Sequence, residues 1–402
     1  MTRTLVVAGH GMIGHRLADR LRTLDTSRDW HIVILAEEPH PAYDRSALSG
    51  YLAGRSRGDL TLADRDFLAD ARVELRLATP LARVDRTAHV VVTRGGDHIR
   101  YDALVLATGS RPFVPPVPGR DLAHCFAYRT FEDLDAIRRV ARPGARGVVV
   151  GGGLLGLEAA YALSRLGVRP HVVETAPHLM PAQLDPGAAE VLHRRATELG
   201  LRLHCGTGVA HVHAGPDETV RAVTLGDGTA LDVDLVVFAA GIRPRDELAE
   251  PLDLARGERG GFLVDALCRT ADPRVWAIGE CAAVQGRCHG LIAPGYAMAD
   301  SVAAQLTGRE GQSFDRTDDA TTLKLLGVHV ATFGATVHPG GPRPVEVTFA
   351  DGIARYAKIF LRPDTGTVLG GILARDTTGS TSPLRSLVGH RPPADLERLL
   401  LP

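Results

Sequence analysis

The chain has 402 residues, 45% of them hydrophobic, with 46 lysines and arginines against 47 aspartates and glutamates for a formal net charge of -1. That length has room for two or three domains with cores of their own. The balanced charge excludes a protein built on bulk attraction to nucleic acid or to an anionic membrane, and no apolar run approaches the ~18 residues of a membrane helix.

Met1-Thr2-Arg3-Thr4 leads straight into an apolar run, so no signal peptide is expected. The five cysteines are odd in number and lack framework spacing, so a reducing cytoplasm is expected. Leu5 to Ala8 reads as a strand and runs into Gly9-His10-Gly11-Met12-Ile13-Gly14, after which a helical pattern begins. A second apolar run, His31 to Ala36, ends in Glu37. This strand–GxGxxG–helix–strand–acid unit is a dinucleotide fingerprint. Gly9 permits the tight turn, Gly11 lets backbone approach a pyrophosphate, and Gly14 lets helix and strand pack closely. The helix start offers free N–H groups and partial positive charge to phosphates, and Glu37 is placed to accept the adenosine ribose hydroxyls. His10 occupies a variable position of the motif.

Further along, Tyr101 to Leu106 forms a strand that exits through Ala107-Thr108-Gly109, a turn suited either to a cofactor or to an ordinary strand end. The prolines between Pro112 and Pro118 suit an extended inter-domain crossing. The logic then repeats. Val148 to Val150 precedes Gly151-Gly152-Gly153-Leu154-Leu155-Gly156, and His171-Val172-Val173 ends in Glu174. Asp234 to Ala240 echoes the earlier strand and exits at Gly241. Two fingerprints imply two dinucleotides in one molecule, and that pairing usually means flavin with nicotinamide. Glu174 favours NADH, because its carboxylate repels the extra phosphate of NADPH and Thr175-Ala176 supplies no arginine. Glu158 reads either as a contact to the nicotinamide carboxamide or as a helix acid at the favourable dipole end.

Val275 to Ile278 is a short strand stopped by Gly279-Glu280, where the acid is either a ribityl partner or a cap. Pro294-Gly295 opens a helix whose N-terminus would stabilise a reduced flavin by roughly 0.3–1 kcal/mol if it met the ring. The tail reads as strands over Leu323 to Phe333, Val345 to Phe349, Ala354 to Leu361 and Val368 to Leu373, with a closing helix over Pro393 to Leu401. Lysine occurs only at Lys324 and Lys358, through genome composition or because an ammonium is needed there. No CxxC or CxxxxC pair, iron–sulfur ligand set or HExxH pattern is present, so neither a flavin–disulfide relay nor a metal centre is expected.

These stretches resemble the class-II pyridine nucleotide–disulfide oxidoreductases of glutathione-reductase fold. Within them, the match is to the flavoprotein module of the assimilatory NADH-dependent nitrite reductase large subunit. The resemblance is carried by residues 9–16, Glu38 to Arg45, Tyr128 to Leu134, Gly151 to Tyr161, Ala240 to Arg245, Ala277 to Cys281, Ala293 to Tyr296, Leu323 to Val328 and Leu369 to Leu373. It implies an α/β fold with two Rossmann-like three-layer domains and a small C-terminal α+β domain. The expected boundaries are 1–115 with 243–315 for FAD, 116–242 for NAD, and 316–402 for a cap or interface domain. The candidate FAD residues are Gly9, Gly11, Met12, Ile13, Gly14, Glu37, Glu38, Arg45, Ser46, Leu81, Ala107, Thr108, Gly109, Arg111, Gly279, Glu280, Pro294 and Gly295. Those for NADH are Gly151, Gly153, Leu154, Leu155, Gly156, Glu158, Glu174, Ala240, Gly241 and Ile242, with Glu158 and Lys324 as the candidate catalytic side chains. The family's cysteine-rich iron–sulfur and sirohaem ligands are missing here.

The expected function is an FAD-dependent NADH oxidoreductase. It passes hydride from NADH to FAD, then electrons to a separate nitrite- or nitrate-reductase-like or iron–sulfur partner. The alternatives are a flavoenzyme acting directly on a small molecule, as in specialised metabolism, and a flavin-bound interaction protein whose shape follows redox state. The resemblance also implies a homodimer formed through the cap.

Overall fold

The computed structural model describes residues 2–314, 321–334, 343–351, 355–375, 386–393 and 396, with backbone alone for 321–325. Contacts divide the chain into two compact units, 1–111 with 242–316 and 112–241 with 317–402.

In the first unit, alternating β-branched and leucine residues build a five-stranded sheet, all parallel. Its order is Val275–Ala277, Ala103–Leu106, Arg3–Ala8, Trp30–Leu35 and Val73–Arg76. Leu5, Val6, Val7, Leu104, Val105 and Leu106 are fully buried, as strands covered on both faces require. The chain enters at the centre of this sheet and leaves to opposite sides, so a crevice opens at the carboxyl end of Arg3–Ala8. The helices Met12–Leu24 and Ile292–Leu306 pack together. Arg16 forks onto both Asp300 carboxylate oxygens at 2.8 Å between them. A three-stranded antiparallel sheet, Leu81–Asp85, Val90–Thr93 and His98–Arg100, completes the unit with a small mixed sheet near Phe262–Val264.

The second unit repeats the parallel design in the order Arg202–Cys205, Arg169–Glu174, Arg146–Val150, Leu235–Phe238 and Cys125–Ala127. Thr130 and Asp133 form a reciprocal capping box that starts the helix Phe131–Val140. An antiparallel meander over Val209–Ala214, Val220–Leu225 and Ala230–Asp232 packs against the parallel core. The tail forms a five-stranded antiparallel sheet in the order Thr321–Leu325, Val328–Gly334, Val368–Arg375, Arg355–Leu361, Val345–Ala350. Its anchor is Asp185, the N-cap of the helix Pro186–Glu198. Asp185 accepts from Ala188 N–H at 3.0 Å, from Tyr356 Oη at 2.6 Å, and pairs with Lys358 Nζ at 2.7 Å. Lys358 also reaches Glu346 at 3.1 Å, so this ammonium knits the tail sheet to the nucleotide sheet's helix.

Two expectations for the tail need amending. The run Leu323 to Phe333 is not one strand but a hairpin that turns at Leu326-Gly327, where φ is +55° and +85°. Such a two-residue primed turn usually advertises itself with Asn-Gly or Gly-Gly. Here Leu326 takes the strained position because its side chain is buried, and its carbonyl accepts from Arg195 Nε at 3.1 Å. The helix expected over Pro393 to Leu401 lies, apart from Pro393 and Leu396, outside the described residues, as does the Lys324 side chain.

Candidate functional site: two nucleotide cradles

In the first cradle the three fingerprint glycines have three different reasons. Gly9 has φ +116°, and a Cβ there would stand 2.2 Å from Ala107 O. A Cβ on Gly14 would stand 2.2 Å from Gly9 O, so helix and turn meet backbone to backbone. Gly11 differs: its φ of -78° and ψ of -172° suit any residue, and a Cβ would meet nothing within 4 Å. The protein itself has no need of glycine there; the space above the helix N-terminus is what it keeps clear. This is the cradle a pyrophosphate requires.

The second cradle repeats each reason. Gly151 has φ +117° and a Cβ would meet Ala239 O at 2.4 Å; one on Gly156 would meet Gly151 O at 1.9 Å. Gly153, with φ -78° and ψ -178°, has nothing within 4 Å. The surrounding hydrogen bonds match too. Gly9 N–H donates to Leu35 O and Ala107 N–H to Ala8 O; Gly151 N–H donates to Val173 O and Ala239 N–H to Val150 O, all at 2.8–2.9 Å. Leu154 and Leu155 begin the helix half-buried, and Ala240 packs on the unit's core. Gly241 takes φ +106° in open space, and Ile242 begins the return to the first unit.

Around the first cradle the side chain of Ile13 fills the space left by two glycines. A Cβ on Gly295 would stand 2.5 Å from it and one on Gly279 3.1 Å. Pro294 lies buried in the same helical turn as Gly295, and Met12 is the first residue of the fingerprint helix. Glu280 accepts from Ser110 Oγ at 2.6 Å. Thr108 Oγ1 donates to Arg245 O at 2.6 Å, and Gly109 turns with φ +68°. Glu38 accepts from Tyr43 Oη at 2.8 Å and pairs with Arg45, whose guanidinium also lies 4.8 Å from the Tyr43 ring centroid. Ser46 closes an Asx turn on Asp44, its N–H donating at 2.9 Å. Leu81 packs partly buried against the first core, and Arg111 is exposed with Glu247 at 3.8 Å.

His10 is buried against Phe67 and accepts from Ala42 N–H on Nδ1 at 3.2 Å. Burial, and then the neighbouring His15, push it down to about 3, so it is neutral at any working pH. Two residues that spacing alone does not single out join these contacts, Tyr43 on Glu38 and Arg45 and Arg245 on Thr108 and Glu37. Arg245 pairs with Glu37, 208 positions away, and no local pattern announces such a pair.

In the second unit Glu174 is held rigid. Its Oε2 accepts from Gly152 N–H at 2.7 Å and its Oε1 from Ala176 N–H at 2.8 Å. Glu158 lies in the second turn of the fingerprint helix, and burial raises its carboxyl to about 7. The Tyr128 hydroxyl is buried with no hydrogen-bond partner among the described residues, and burial followed by the Glu158 charge raises it as well.

A family model described as pyridine nucleotide-disulphide oxidoreductase matches residues 3–305. The chain belongs to that family. It is similar, with 46% identity over 400 residues, to the nitrite reductase [NAD(P)H] large subunit of Klebsiella oxytoca, covering 99% of this chain and 41% of that protein. It is 31% identical to the assimilatory nitrate reductase electron transfer subunit of Bacillus subtilis (strain 168), covering 96% of this chain and 49% of that one. The chain thus spans less than half the length of these two relatives. Among solved structures, a ferredoxin reductase for the CYP199A2 system from Rhodopseudomonas palustris aligns with a TM-score of 0.83 at 27% identity, covering 93% of this chain and 91% of that chain.

As a member of this family the protein is an oxidoreductase, and its relatives use FAD and NADH. The disulphide of the family name has no counterpart in it. All five cysteines are free, and burial pushes Cys125 and Cys288 up to about 11 and Cys268 up to about 12, far from a reactive thiolate. Among the described residues no helix is long and apolar enough to cross a membrane.

Glu158 leads to a pH prediction. Its carboxyl rises from 4.5 to about 7 in the folded protein, so the unfolded chain releases its proton first and stability falls as pH climbs through that window. Glu158→Gln should therefore unfold at a higher temperature than the parent at pH 8 and at nearly the same temperature at pH 4. Equal differences at both pH values, by calorimetry, would show that this carboxyl does not titrate there.

Proposed function

We propose that this chain is the NADH-oxidising, FAD-carrying front end of an electron-transfer system, delivering electrons to a separate iron–sulfur or nitrite- or nitrate-reductase-like acceptor. We further assign FAD to the first cradle, in a domain of residues 1–115 with 243–315, NADH to the second, in 116–242, and an interface role to 316–402. The observation that carries the reading is the pair of glycines, Gly11 and Gly153, that the fold does not need and a pyrophosphate does. FAD, when bound, supplies a ring that takes up hydride and gives up electrons. The chain supplies position: helix starts for two pyrophosphates, Glu37 and Glu174 for the two adenosine riboses, and the Gly279–Glu280 and Pro294–Gly295 turns for the flavin end. Glu174, fixed by two backbone N–H groups, favours NADH over NADPH. The similarity to less than half of a nitrite reductase large subunit supports an acceptor outside this chain.

Anaerobic titration with NADH, followed at the flavin absorbance near 450 nm, tests the first half, and reoxidation by a panel of acceptors tests the second. Bleaching by about one equivalent of NADH is expected, with an iron–sulfur protein reoxidising the flavin faster than any small organic acceptor. A flavin that NADH leaves unbleached defeats the whole reading. Faster reoxidation by a small molecule would replace the partner protein with a substrate.

A further inference from the structure

Arg245 is tied into the first cradle at three points. Its N–H donates to Gly109 O at 2.9 Å, its carbonyl accepts from Thr108 Oγ1 at 2.6 Å, and its guanidinium pairs with Glu37. The two backbone bonds fix where the residue stands on the Ala107–Gly109 turn, and the side chain spans from there to the acid that follows the strand Trp30–Leu35. Glu37 is itself exposed. An exposed carboxylate with no partner samples several rotamers, and each must be given up when a ligand is bound. Pairing with a planar guanidinium removes that freedom beforehand. It leaves acceptor capacity, since a carboxylate has about four lone-pair sites and Arg245 engages Oε2 through one nitrogen.

We infer that Arg245 is a positioning residue for the adenosine ribose of FAD: it holds the Glu37 carboxylate aimed so that the two ribose hydroxyls meet a preformed acceptor. The inference rests on the assignment of FAD to the first cradle. It makes Arg245 a determinant of selectivity for an intact ribose diol and not of flavin chemistry.

The test is flavin binding by the full chain, stripped of cofactor and titrated by fluorescence quenching. The ligands are FAD and an FAD analogue with 2′,3′-dideoxyadenosine in place of adenosine. Arg245→Gln keeps both backbone bonds, which any residue but proline can make. It should weaken FAD about tenfold, the scale of one charge-assisted contact, while changing the analogue's affinity less than twofold. With Glu37→Gln already in place, Arg245→Gln should cost nothing further for FAD. Equal losses for FAD and the analogue, or losses that add in the double variant, would overturn the proposal, because a merely structural arginine would act on both ligands alike. A parent chain that binds neither flavin would overturn it together with the cofactor assignment. A parent that binds FAD normally beside an indifferent Arg245→Gln overturns this proposal alone.

Discussion

Gly11→Val is expected to give a folded protein that comes off the column colourless. The backbone at Gly11 is already in the extended region, where a β-branched residue sits comfortably, and a Cβ there meets nothing within 4 Å. The fold should hardly notice the change. A bound pyrophosphate would notice it, because the isopropyl group would stand where its oxygens approach the helix N–H groups. Losing two charge-assisted hydrogen bonds at roughly 1.5–3 kcal/mol each weakens binding by about 10²–10⁴-fold. The control is Gly14→Val, whose Cβ would stand 2.2 Å from Gly9 O. No side-chain adjustment relieves a clash with backbone, so that variant should lose soluble expression or its cooperative melt. The pair separates ligand from fold: the absorbance ratio at 450 and 280 nm reads one, thermal unfolding the other. A Gly11→Val protein as yellow as its parent would remove the first cradle from flavin binding. Gly153→Val should stay yellow yet need far more NADH to bleach.

The second large effect is on nicotinamide choice. Glu174→Ala with Thr175→Arg should reverse the preference from NADH to NADPH. The parent carboxylate is locked by Gly152 and Ala176 N–H groups, so it cannot swing away from a 2′-phosphate, and Thr175 beside it is exposed. Removing like-charge repulsion and adding an arginine fork together shift the balance by roughly 3–4 kcal/mol, or about 10²–10³-fold in the ratio of kcat/KM values. The two backbone N–H groups lose their acceptor, at a cost of about 1 kcal/mol each, so the variant should melt a few degrees lower. Steady-state rates with both nucleotides settle it. A variant that still works faster with NADH would mean that Glu174 does not face the adenosine ribose.

How much of this is legible in the sequence differs from one residue to the next. The α/β class and both fingerprints were legible because their causes are local: an apolar run, a glycine that must turn, a helix that must begin. The reason for Gly14 also follows from short-range geometry, because the atom in its way is Gly9 O. The tail hairpin was not legible. Leu326 and Gly327 lack the usual turn chemistry, and only burial of the leucine and the Arg195 bond to its carbonyl make that turn intelligible. Lys358 stood out as one of two lysines, but its role in clamping Asp185 to the tail sheet depends on a pairing across 173 positions.

Sequence alone determined that two glycine-rich strand-to-helix turns exist, where each begins, and which acidic residue ends the strand beside each one. These follow from backbone conformations and helix starts that a dozen neighbouring residues decide among themselves. Tertiary structure decided what closes over them. Ala107 O is the atom that forbids a side chain on Gly9, Ile13 fills the notch of Gly279 and Gly295, and Arg245 finds Glu37. Such pairs form only when distant segments are brought together by burial of the parallel sheets, whose cost in loop closure and gain in apolar contact belong to the whole chain and leave no mark at either position.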